Sequence, residues 1–215
     1  KALIAEGRGD TDAATKMLDN AITRWPTDSM LYYQRARLQA QQPGGILPAM
    51  KDLDEALRLN PSGVESRQLL IRLHLQKGEV KDAVRELRAL LTRQPGATDV
   101  RLQLFNLYLN RGDYLAAAGL VEDAMQKFPG DPTWPRERAR VAELQKDLPK
   151  QRESWERAVM IAPSPANIAS LADVMLRAGA PNDALKLLRD HADQVNQQPL
   201  LQALRGRAMA EMNRK

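Results

Sequence analysis

Proline closes a helical segment at residues 26, 61, 95, 129 and 163, with gaps of 35, 34, 34 and 34 residues. A glycine and two small residues precede it in fixed register: Gly9, Ala14, Ala21 and Pro26; Gly44, Ala49, Ala56 and Pro61; Gly112, Ala117, Ala124 and Pro129. Gly78, Ala83, Leu90 and Pro95 keep the same spacing with one leucine. A skeleton repeated at this period means that the chain is built from like units, each packed on its neighbours, so core size is set per interface rather than by total length.

Each unit reads as a helix hairpin. In "MLYYQRARLQAQQ", "RQLLIRLHLQKG" and "VRLQLFNLYLNRG" apolar residues recur every three or four positions, and the run stops at a turn. Gly78 and Gly112 sit just past such runs, where a helix end needs a positive φ. An acidic residue or amide follows nearby and can accept from the free N–H groups of a second helix. The proline then prevents that helix from continuing. Small residues at the fixed offsets let paired helices approach to the lower end of the ~8–10 Å interaxial range.

This skeleton resembles the tetratricopeptide repeat (TPR), a helix-turn-helix unit of about 34 residues. The resemblance covers nearly the whole chain and implies an all-α, right-handed superhelical solenoid running as one array over 1–215. Its units are a partial one at 1–28, then 29–63, 64–97, 98–131, 132–164 and 165–198, with a lone helix at 199–215. Thirteen helical segments and no strand are expected, the first partial. The 35-residue period of pentatricopeptide RNA binders is close, but the Gly-Ala-Ala-Pro skeleton favours TPR. Unit 132–164 has Lys146 for the turn glycine and Gln151 for the first alanine. Unit 165–198 has His191 and Asn196 for the second small residue and the proline. Looser packing is expected in both. The insertion "QPGGILP" lengthens one surface turn, which should tolerate it.

Catalytic chemistry finds little support. His74 and His191 are the only histidines. They fall too far apart in the array for one site and read as packing positions. "GRG" at 7–9 and "GDTD" at 9–12 lack the strand or ligand spacing of phosphate and calcium loops, so Asp10 or Thr11 reads as a helix cap. The pairs Asp52/Asp54 and Glu122/Asp123 read as solvated faces with i,i+4 partners. Trp25, Trp134 and Trp155 read as packing residues. The expectation is a non-enzyme with no cofactor and no metal. The absence of cysteine excludes disulfides and thiolate metal sites and leaves cytoplasm and periplasm equally open. No apolar run approaches the ~20 residues of a membrane span.

In the TPR family first helices line the concave side, so ligand-facing positions can be read once per unit. The ninth position gives Arg37, Arg72, Asn106, Arg140, Asp173 and Arg207; a turn earlier come Tyr33, Gln68, Leu102 and Arg136, and three residues later Leu75, Leu109 and Glu143. The candidate partner-binding set is Tyr33, Arg37, Gln68, Arg72, Leu75, Leu102, Asn106, Leu109, Arg136, Arg140 and Arg177. Arginine forks flanking leucines suit an acidic, partly apolar peptide or protein. Leu102 stands where a chaperone-type carboxylate clamp has lysine, so that clamp is not expected. A net charge of +5 leaves nucleic acid as an alternative partner, but the groove lacks an aromatic at each step for base stacking. A targeting array for a catalytic domain outside this chain is the other alternative. Self-association through the ends of the array is expected. The cysteine-free, Arg- and Ala-rich style resembles bacterial arrays, such as those of polysaccharide-export and lipoprotein systems, and suggests an internal section of a larger protein.

Overall fold

The computed structural model describes residues 11–213. Gly9, Asp10, "GRG" and the partial first helix expected from the sequence lie outside the described residues. Thirteen α-helices and no strand occupy the described residues. The chain forms two compact units, residues 1–107 and 108–215.

The first unit contains α1 (Thr11–Arg24), α2 (Ser29–Gln39), α3 (Ile46–Leu59), α4 (Val64–Gln76), α5 (Val80–Arg93) and most of α6 (Thr98–Asn110). From α1 to α5 each helix packs on the next in sequence, and α2 also touches α4. The small residues sit at these contacts: Ala14, Ala49 and Ala83 are fully buried, and Ala56 and Leu90 nearly so. Around them Leu53, Leu69, Leu70 and Leu73 form a core against which Tyr33, Ile46 and Met50 pack.

The second unit begins with the end of α6. It continues with α7 (Tyr114–Lys127), α8 (Thr133–Leu144), α9 (Leu148–Ile161), α10 (Pro165–Arg177), α11 (Pro181–Asp190), α12 (Ala192–Gln197) and α13 (Pro199–Met212). Ala117, Ala124, Ala158 and Ala184 are again fully buried. The second helix of 165–198 is interrupted at His191, which leaves the helical region (φ −118°, ψ 35°) and separates α11 from the six-residue α12. That break adds the thirteenth described helix, while Leu188 and Val195 on either side of it stay buried in one core. Unit 132–164 is not left open: Trp134 is fully buried, Gln151 is buried, and Trp155 packs on the core of the following helices.

The hairpin turns share one hydrogen-bond pattern. In four hairpins the N–H three places past the first helix donates five residues back: Glu79 to His74 at 2.8 Å, Asp113 to Tyr108 at 2.9 Å, Asp147 to Ala142 at 2.8 Å and Ala180 to Met175 at 2.9 Å. This closure needs a left-handed residue just before the donor. Gly78, Gly112 and Gly179 supply it at φ 70–76°, and Lys146 adopts φ 58° in the fourth. The inserted turn differs. Residues 41–44 of it are exposed, as expected of a surface turn, but a Cβ on Gly45 would lie 1.8 Å from the Gln39 carbonyl oxygen, so the backbone is tightly packed at that one residue.

A second device holds successive hairpins. The fourth residue of a unit reaches back six residues to the carbonyl at the closing-proline position. Tyr32 Oη donates to Pro26, Arg67 Nη2 to Pro61 and Arg101 Nη2 to Pro95, each at 3.0 Å, and Gln202 Nε2 donates to Asn196 at 2.9 Å. Only the presence of a long donor at that position is common to the four. Because proline ends the helix there, its carbonyl has no helical partner and the side chain satisfies it.

Three side chains depart from the sequence reading. Trp25 is 58% exposed rather than packed. It stands at the end of α1 beside Met17, Leu18, Ala21 and Leu31, which line a cavity of about 680 Å³ with it. Asp52 is buried rather than solvated, because Arg35 grips both its oxygens at 2.7 Å and reaches Asp19 with the remaining nitrogen. These carboxylates, Asp52 foremost, hold the Arg35 guanidinium above its ordinary pKa. Glu122 meets Arg138 of α8 at 3.1 Å, whereas Asp123 makes the expected i,i+4 pair with Lys127.

Candidate functional site

Helix α4 is buried on most of its circumference because it lies between α3, α5 and α2. Its exposed residues therefore form a narrow stripe, Glu65, Gln68, Arg72 and Gln76, with Leu75 half-buried at the edge. Within the first unit, α6 presents the matching stripe of Asp99, Gln103 and Asn106, with Leu102 half-buried. Between the stripes lies a cleft of about 220 Å³, lined by Gln68, Ile71, Arg72, Leu75, Leu90, Asp99, Val100 and Gln103. Its floor is apolar: Ile71, Leu90 and Val100 are buried. Its rim is polar, and the side chains of Gln68, Arg72, Asp99 and Gln103 make no hydrogen bond or ion pair among the described residues.

Three residues of the candidate set, Gln68, Arg72 and Leu75, thus come together at one cleft. Tyr33 packs on the core of the first unit, Arg37 is half-buried on α2, and Leu102 and Asn106 stand on α6. Asp99 and Gln103, the second and sixth residues of their unit, were not in the set. Their signal was available: on a helix, residues at positions two and six share a face, and that face looks toward the preceding first helix.

The second unit disposes of its arginines differently. Leu109 is only 8% exposed. Arg136 turns back to the Pro132 carbonyl at 3.1 Å, and Arg140 meets Glu137 at 3.4 Å. Arg177 donates to the buried Gln151 Oε1 at 2.7 Å and stands 3.7 Å from Glu143 and 3.6 Å from Asp173. Asp173 also takes Arg207 at 3.1 Å, and Arg207 pairs with Glu211 at 2.9 Å. Glu143, Asp173, Arg177, Arg207 and Glu211 therefore form a ladder across α8, α10 and α13. The alternation was present in the columns read from the sequence, where Asp173 and Glu143 occupy places taken by other residue types in neighbouring units. Elsewhere in this unit, α9 and α11 frame a groove of about 380 Å³ over Val159, Leu171, Met175 and Leu187, beside the highly exposed Met160.

Residues 49–98 and 102–167, more than half of the chain, match the family model of the tetratricopeptide repeat. No curated protein matches the chain. Among solved structures, a tetratricopeptide repeat protein from Parabacteroides merdae ATCC 43184 is similar over 99% of this chain and 84% of its own, at 16% identity and a TM-score of 0.56. A chain of a structure of Naa15/Naa10 bound to HypK-THB is similar over 99% of this chain and 34% of its own, at 14% identity and a TM-score of 0.67. YrrB, described as a TPR protein with an unusual peptide-binding site, is similar over 86% of this chain and 96% of its own, at 16% identity and a TM-score of 0.54. At these identities the likeness shows the fold alone.

Proposed function

The chain belongs to the tetratricopeptide repeat family, and from that premise we propose a protein–protein interaction scaffold whose α4–α6 cleft takes an extended, acidic and partly apolar segment of a partner. The observation that carries this reading is an apolar floor beneath four polar side chains that have no partner of their own. An apolar ligand side chain seated over Ile71, Leu90 and Val100 gains up to about 1.5–3 kcal/mol when fully buried. Arg72 offers a planar fork that matches a carboxylate bidentately. Gln68 and Gln103 can each donate to and accept from the main chain of an extended segment.

Asp99 refines the choice. A carboxylate on the cleft rim repels a ligand charged along its whole length, which disfavours nucleic acid and favours a segment carrying one acidic group beside an apolar one. Arg140, Arg177 and Arg207 of the second unit are already neutralised by Glu137, Glu143, Asp173 and Glu211, so a ligand carboxylate at any of them would have to displace an internal one. YrrB's peptide-binding site lends this reading a parallel in a protein of the same fold. No turnover is part of it.

A displayed random-peptide library, panned on the wild-type chain and on Arg72→Glu, tests the reading. Selected peptides should place Asp or Glu close to an apolar residue, and Arg72→Glu should bind them at least about tenfold more weakly, because like charges then face each other. Selection without acidic preference, or undiminished binding by Arg72→Glu, would overturn it.

A further inference from the structure

The turn between α4 and α5 gathers three ligating side chains that the proposed function does not use. Gly78 takes φ 76° and Glu79 N–H closes on the His74 carbonyl, which folds Glu79 back onto the buried His74. Asp82 follows three residues later, on the same face of the first turn of α5. As a result one imidazole nitrogen and one oxygen from each carboxylate lie within 4.8 Å of one another.

The carboxylates are oriented from outside. Lys77 Nζ holds Oε1 of Glu79, leaving Oε2 facing His74 Nδ1 at 2.8 Å. Arg85 Nη1 holds Oδ1 of Asp82 at 2.6 Å, leaving its second oxygen unclaimed by that bond. Lys77, and after it His74, keep the Glu79 carboxyl below the usual carboxylate range, so it is ionised at neutral pH. Asp54 adds a further carboxylate that interacts electrostatically with His74.

We propose that His74, Glu79 and Asp82 bind a divalent transition-metal ion of the zinc class, with water completing the coordination. An imidazole nitrogen with two carboxylate oxygens is a donor set for such ions, whereas calcium and magnesium prefer oxygen donors and gain little from the imidazole. Two ligands of one tetrahedral zinc, at about 2.0 Å each, stand ~3.3 Å apart. Admitting the ion therefore takes opening the His74–Glu79 hydrogen bond by about half an ångström and bringing Asp82, within 4.8 Å of both, to the same spacing. Lys77 and Arg85 act as partners that orient the ligating carboxylates. Their positive charges also hold the affinity below that of a site with unpaired acids.

Thermal melts of the full chain with Zn²⁺, and separately with Mg²⁺, test the site. Zn²⁺ at about tenfold excess over its Kd should raise Tm by about 3 °C, and Mg²⁺ should not. Co²⁺ should develop a visible absorption band on the same protein. Asp82→Asn and Glu79→Gln, which leave the buried histidine in place, should each abolish both responses, whereas His191→Gln should keep them. No Zn²⁺ response, an equal response to Mg²⁺, or an unchanged response in the two acid variants would overturn the assignment.

Discussion

Lys146 is the one non-glycine residue at positive φ among the described residues, and it occupies the turn position that glycine holds in the other hairpins with this closure. The left-handed conformation costs an L-residue roughly 1–2 kcal/mol through its Cβ. Glycine removes that strain but loses roughly 0.5–1 kcal/mol through the greater freedom of its unfolded chain. Lys146→Gly should therefore stabilise the protein by about 0.5–1 kcal/mol. The Lys146 side chain is exposed and makes no side-chain hydrogen bond or ion pair, so little else is lost. The reverse exchange, Gly112→Ala, supplies the reference: an added Cβ meets nothing within 4 Å, which isolates the backbone term, and a loss of about 1 kcal/mol is expected. Urea unfolding followed by circular dichroism reads both variants, as midpoint shifts in opposite directions. A lower midpoint for Lys146→Gly would refute the strain argument.

Three further substitutions probe other parts of the account. Gly45→Ala should cost about 3 kcal/mol by the same assay, because its Cβ would overlap the Gln39 carbonyl and the backbone must move; Gly44→Ala, with open space around its Cβ, should cost less. Trp134→Ala should cost about 3–5 kcal/mol, since the indole is fully buried and unit 132–164 has few other large buried side chains. Asp147 accepts from the Lys150 N–H at the start of α9, a bond that holds its pKa below the ordinary carboxylate value. A depressed folded pKa means that the stabilisation is complete above the unfolded pKa and lost as pH falls through the folded one. The Tm gap between wild type and Asp147→Ala should accordingly be widest near neutrality and close below about pH 4; a gap independent of pH would contradict this.

The helical skeleton was legible because its rules are local. Gly78, Gly112 and Gly179 mark turns that only a left-handed residue closes, and the alanines mark contacts that a larger side chain would hold apart. What escaped depends on relations between helices. Asp52 looked solvated because its partner Arg35 lies 17 residues away on the preceding helix. The tight spot at Gly45 carries no local signal because the carbonyl that confines it belongs to the end of α2. The candidate set grouped Arg72 with Arg140 and Arg177, although Glu137 and Glu143, which neutralise the latter two, stand at other helical positions. The His74 cluster stayed hidden because its acids come from the next helix, brought back by the turn.

Photo-crosslinking of a library-selected peptide tests the central claim most directly. A photoreactive residue at position 103, on the rim of the α4–α6 cleft, should capture the peptide, and free peptide should compete the product away. The same residue at position 160, beside the α9–α11 groove, should not. Capture from position 160 with none from position 103 would place the partner on the second unit and contradict the proposed cleft.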